Sequence, residues 1–215
     1  MKKKMLIAIL AMIMTSSVYA QYFPVDTARL NLTYKSLMEN PEDPVAQKNY
    51  FDAFPDTWDK FIMTYQYFPN KEYDLSMFFR ASDHVVALYD LNTIPDSIYC
   101  RKLIHLAIGG KINPDVAHDW WGLKPLLRWV MKTKMDTMFT TLSKLRKGHQ
   151  FEFWAFYWSN MYYRKEIYDE FGRLKLKGEK LYPKETEIMS DAFKYFHNGV
   201  NYVGMGFEKE DISQE

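Results

Sequence analysis

Apolar positions recur every three to four residues along almost the whole chain, and that period predicts helices nearly throughout. Pro and Asp/Asn pairs punctuate the pattern as helix starts. A first helix is expected from Thr27 to Glu39, ending before Asn40-Pro41. Asp43-Pro44 reads as an N-cap and first turn for a short helix through Ala53. Pro55-Asp56 starts the next, with Trp58, Phe61, Ile62 and Tyr65 on one face. Leu75, Phe78, Phe79, Ser82, Val85, Val86 and Tyr89 carry a longer helix, and Ile94-Pro95-Asp96 opens another that Gly109-Gly110 stops as a C-cap would.

Asn113-Pro114-Asp115 begins a further helix carrying Val116, Trp120, Leu123, Leu127 and Val130. Pro125 falls inside it, so the helix must kink there or break near Gly122 and restart with Pro125 in a first turn. Met135, Met138, Phe139, Leu142 and Leu145 form a clean stripe, and a ring-rich segment runs from Phe151 to Tyr163. Ile167, Phe171 and Leu174 suggest another helix. Leu174 and Leu176 also alternate with Arg173, Lys175 and Lys177 in a period of two, so a small β-hairpin over 173–182 is the competing expectation. A last helix should run from Pro183 to about His197, followed by a loose acidic tail from about 199. The fold class expected is all-α: an irregular multi-helix bundle or stacked helical hairpins, in a single domain over 21–215.

The first twenty residues change that picture. Lys2-Lys3-Lys4, the apolar run Met5 to Met14, and Val18-Tyr19-Ala20 have the layout of a secretory signal peptide cleaved before Gln21. The run is shorter than the ~20 apolar residues a membrane span needs, and no later segment is long and apolar enough. Export, to the periplasm or beyond, is the expected address. An exported chain is free to form disulfides, yet Cys100 is alone. It shares a helical stripe with Leu103, Ile104, Ala107 and Ile108, which points to a buried thiol.

Phe51-Asp52-Ala53-Phe54-Pro55-Asp56-Thr57-Trp58, Leu106-Ala107-Ile108-Gly109-Gly110 and Phe151-Glu152-Phe153-Trp154 resemble a pattern in small exported helical proteins of Gram-negative gut anaerobes. That group has no assigned activity. The resemblance therefore implies a helical fold and export and stops there.

Few residues suggest chemistry. Asp115, His118 and Asp119 stand at i, i+3 and i+4, where two carboxylates and an imidazole on one helix face could hold a divalent ion or serve a hydrolase. An acid in a first turn is equally served by the helix dipole, and no zinc spacing supports the metal reading. Arg80, Asp83 and His84 read as an exposed ion pair with a nearby His, and His105 as part of a solvated flank behind Arg101 and Lys102. No nucleophile elbow, phosphate loop, dinucleotide fingerprint or Cys-x-x-Cys is present. No cofactor or metal is expected. With 13 Met and 17% aromatic residues, a helical pocket for a small apolar ligand is a further alternative.

Charge is distributed unevenly. Residues 21–123 hold nine basic and fourteen acidic side chains, residues 124–184 fourteen and six, and residues 185–215 two and seven. A basic, aromatic-rich middle thus lies between two acidic ends. It could pair with those ends internally, or it could face outward. In the outward reading, Lys144, Arg146, Lys147, Trp154, Trp158, Arg164 and Lys165 bind an acidic protein or an anionic envelope component. Nucleic acid is not expected as a partner for an exported chain.

Overall fold

The computed structural model describes residues 26–65, 75–110, 122–159 and 165–197. Among these residues there are ten α-helices and no strand. The fold is all-α. The segment expected to be a signal peptide, Asp115, His118 and Asp119, Arg164, and the tail expected from 199 lie outside the described residues.

The first helices begin where polar caps demand it. The Asp26 carboxylate accepts from the Arg29 amide at 2.8 Å to start α1 (Thr27–Glu39). Asp43 accepts from Val45 and Ala46 to start α2 (Pro44–Ala53), with Pro44 in its first turn. Helix α3 (Trp58–Tyr65) follows a Thr57 cap, and α4 (Leu75–Val86) tightens into a 3₁₀ turn over Ala87–Asp90. Helix α5 (Asp96–Ile108) buries Cys100, Leu103, Ile104 and Ala107 as one stripe. The Cys100 thiol is fully enclosed, and burial pushes it up to about 11.

At Gly122 the backbone turns left-handed, with φ of 91°, and α6 (Leu123–Thr133) starts immediately after. Pro125 therefore sits in a first turn, where its missing N–H costs nothing. Helices α7 (Met135–Leu142), α8 (Lys147–Trp158), α9 (Lys165–Leu181) and α10 (Pro183–His197) complete the chain.

Helix α8 is the centre. It packs against α5 and α10, and its Trp154 ring meets Phe139 of α7 at 5.5 Å. Phe153, Trp154, Ala155, Phe156, Tyr157 and Trp158 are all buried, so rings on every side of this helix meet protein on every side. Around it, α1 pairs with α2, α3 with α4 and α5, and α9 with α10.

The β-hairpin expected near 173–182 does not form. Helix α9 runs straight through, because Ile167, Phe171, Leu174 and Gly178 make a stripe of helical period facing α8 and α10. Leu174 is fully buried while Leu176, its partner in the apparent alternation, is 79% exposed. Ion pairs Lys165–Asp169 and Lys175–Glu179, each four residues apart, support the same helix. Gly178 is there for contact rather than for a turn. A Cβ on it would stand 2.3 Å from Thr186 Oγ1 on α10.

Gly109 and Gly110 likewise serve close approach. Gly109 keeps right-handed geometry, with φ of −80°, and a Cβ would meet Trp58 Cβ at 2.5 Å. A Cβ on Gly110 would strike the Phe156 ring at 2.4 Å. Both glycines let the end of α5 press against α3 and α8.

Candidate functional site: a basic corner and its cleft

The turn from α7 into α8 carries Lys144, Arg146 and Lys147, and its shape follows from local bonds. The amides of Ser143, Lys144 and Leu145 donate back to the carbonyls of Phe139, Thr141 and Leu142. Leu145 packs on the core, and Gln150 Nε2 donates to the Leu145 carbonyl at 2.9 Å. The backbone is thereby pinned while the three cationic side chains point outward and exposed.

Arg146 is the N-cap residue of α8, and it offers no side-chain acceptor to the first amides. The first turn of α8 also contains no acid. Positive side chains thus stand at the positive end of a helix, an arrangement that disfavours the helix and favours an anion beside it.

Six other cations of the basic middle are neutralised from within, while Lys132, Lys180 and Lys184 are exposed on three different helices without a carboxylate partner among the described residues. Lys134 pairs with Asp96 at 2.5 Å, Lys165 with Asp169 at 3.1 Å, Lys175 with Glu179 at 3.6 Å, and Lys177 with Asp136 at 3.4 Å. Arg128 and Arg173 converge on Glu170, at 3.6 and 3.9 Å. Tyr157 donates to the same carboxylate at 2.5 Å. Burial, then the Glu170 charge, pushes the Tyr157 phenol well above its usual range. Among the described residues no acid lies within ion-pair distance of Lys144, Arg146 or Lys147.

Next to this corner, the starts of α3 and α8 and the end of α5 frame an open cleft of about 300 Å³. Trp58, Ile108 and Gly109 supply its apolar lining. His105, His149, Thr57 and Asp59 supply its polar lining. Arg146 reaches His149, with its guanidinium 3.1 Å from Nε2. A guanidinium can only donate, so Nε2 accepts. The cleft walls are held rigidly. Trp58 stacks on Phe61 at 5.9 Å and receives the Phe156 edge at 5.3 Å.

The sequence candidates separate into distinct environments. Lys144, Arg146 and Lys147 come together on one exposed turn. Trp154 and Trp158 do not join them: both are 0% exposed, stacked 6.0 Å apart within the core, and present no contact face. Lys165 is on α9 and engaged with Asp169. Arg164 lies outside the described residues, as does the Asp115, His118, Asp119 constellation. Among the described residues no three His, Cys, Asp or Glu side chains are arranged to hold a metal ion.

The Arg80, Asp83, His84 expectation needs correction. His84 is fully buried, not on a solvated face. Its Nδ1 lies 3.0 Å from the Tyr65 hydroxyl, the Tyr34 ring covers it at 4.5 Å, and the Tyr50 hydroxyl donates to its backbone carbonyl. Burial lowers its pKa to about 4, with the Arg80 charge adding to the effect. Arg80 itself bonds Asn31 at 3.2 Å.

Two further lysines have structural duties. Lys102 donates to the Phe51 carbonyl and sits 4.5 Å over the Phe51 ring. Burial lowers it to about 8. Lys124 donates to the Ser159 carbonyl and hydroxyl beneath the end of α8. Each satisfies carbonyls that the end of a helix leaves open. Between α9 and α10 lies a groove of about 530 Å³ lined by Phe171 and Phe193 together with Lys175, Glu179, Asp191 and Lys194. That lining is too charged for the small apolar ligand that the Met and ring content suggested.

The cleft was not foreseen from the sequence. Thr57, His149 and Ile108 come from three separate segments, and no spacing links them. Comparison of the chain with protein-family models, with curated proteins and with solved structures gives no match.

Proposed function

We propose that this protein is an exported binding protein that captures an acidic protein partner at the Lys144, Arg146, Lys147 corner. The observation that carries the reading is the clustering of cations without carboxylate partners on one turn. Six other cations of the basic middle have carboxylate partners within the fold. Among the described residues Lys144, Arg146 and Lys147 do not, and they share one pinned turn, whereas Lys132, Lys180 and Lys184, also without a carboxylate partner there, stand on the separate helices α6, α9 and α10. Cations on a turn whose backbone is pinned are presented together without backbone ordering, and their field steers an acidic partner at long range. The charged leader at Lys2-Lys3-Lys4 and the apolar run behind it support the exported address.

The test is the triple reversal Lys144→Glu, Arg146→Glu and Lys147→Glu. With the wild-type protein, capture of acidic proteins from envelope extract should weaken as salt rises, because exposed charges are screened over about 10 Å at 0.1 M. The reversal should abolish that capture and leave helix content unchanged. Capture that ignores salt and survives the reversal would overturn the reading.

A further inference from the structure

The cleft beside the corner names the chemistry of the partner more closely. We propose that it receives one apolar side chain from an acidic segment of the partner, so that recognition combines an apolar anchor with flanking carboxylates. This rests on the binding reading above and deepens it.

Three features of the geometry support an anchor. Trp58, Ile108 and Gly109 give the cleft an apolar lining, and at about 300 Å³ it stands at the lower end of ligand pockets, which span about 300–1,000 Å³. That suits a single side chain better than a free cofactor. The cleft is also preformed. Gly109 brings α5 against Trp58, and the Trp58 ring is fixed between Phe61 and Phe156. A binder pays little to open it, and interface energy concentrates where an anchor enters such a fixed pocket.

Charge complementarity decides the class of partner. Arg146 is tied to His149 of the cleft lining, Lys147 opens the same helix, and Lys144 stands on the turn before it. An anchor seated in the cleft therefore has cations along its α8 side. Asp59, at the start of α3, also lines the cleft. It repels acid there, so the carboxylates of the bound segment must run toward α8. His105 of α5 also lines the cleft and is exposed.

The experiment uses two short Glu-rich peptides that differ at one central residue, Leu in one and Ser in the other. Binding of each to the full mature protein is measured by fluorescence anisotropy at low salt. The Leu peptide should bind about tenfold more tightly, equivalent to about 1.4 kcal/mol. His105→Trp, which fills the cleft from an exposed position, should erase that advantage. Lys144→Glu, Arg146→Glu and Lys147→Glu together should abolish binding of both peptides. Equal affinity of the two peptides for the wild-type protein would overturn the anchor while leaving the acidic-partner reading intact. Failure of both peptides to bind would overturn the two together. The comparison between peptides needs no protein variant, so a misfolded His105→Trp protein would not obscure it.

Discussion

Gly178 of α9 faces Thr186 of α10 so closely that a Cβ at 178 would stand 2.3 Å from the threonine hydroxyl oxygen. The Thr186 side chain is itself committed, since its hydroxyl donates to the Tyr182 carbonyl at 2.8 Å. Neither helix can yield easily, because α10 is pinned on α8 by Phe193 against Trp158.

Gly178→Ala should therefore destabilise the protein by about 1–3 kcal/mol, the usual cost of overpacking, even though alanine is the better helix former. Adding Thr186→Ala removes the offending oxygen. The double variant should be more stable than the two single costs predict, as expected for neighbouring sites. Denaturant unfolding of the four proteins checks it, and strict additivity would mean the close contact is not what excludes a side chain at 178.

The same glycine shows where sequence reading succeeds and fails. Helices α1, α2 and α10 have the bounds expected from caps and period, because Asp26, Asp43 and Pro183 are local signals that act within a turn of themselves. Around Gly178 two periods coexist in the same residues, and only the partner helix decides between them. Leu174 is interior because α8 and α10 are there, and Leu176 is exposed because nothing is. Trp154 and Trp158 went the same way. Rings all around a helix fit either a central helix or one with a contact face, and tertiary packing chose the first. The exposed triad was legible from charge alone. The cleft was not, since its walls come from residues 57–59, 105–109 and 149.

His84 gives the protein an acid limit. Its pKa falls from 6.5 to about 4 on folding, so the unfolded chain takes up the proton first. Stability from this group is complete above about pH 6.5 and is lost as pH drops toward 4. At about 1.4 kcal/mol per pKa unit, the loss approaches 3 kcal/mol. Burial lowers the pKa of His197 too, so it acts in the same direction. His84→Gln keeps an acceptor for the Tyr65 hydroxyl and cannot titrate. Its unfolding free energy should fall less steeply between pH 6.5 and 4 than that of wild type. Parallel pH profiles would show that His84 is not held neutral.

Glu170 separates the structural cations from those proposed to bind. It takes the Tyr157 hydroxyl at 2.5 Å and stands between Arg128 and Arg173, joining α6, α8 and α9. Glu170→Gln leaves two guanidiniums facing a neutral amide and weakens the bond from Tyr157. Because Arg173 is about half exposed, water screens part of the loss, and a cost of about 1–2 kcal/mol is expected rather than the 3–5 kcal/mol of a fully buried pair. Tyr157→Phe should cost about 1 kcal/mol, and the double variant less than the sum, since both changes remove the same hydrogen bond. Capture of acidic partners should survive Glu170→Gln undiminished, since Arg128 and Arg173 serve the fold. Capture lost in Glu170→Gln at full helix content would place the contact surface on α9 and remove the Lys144, Arg146, Lys147 corner from its central role.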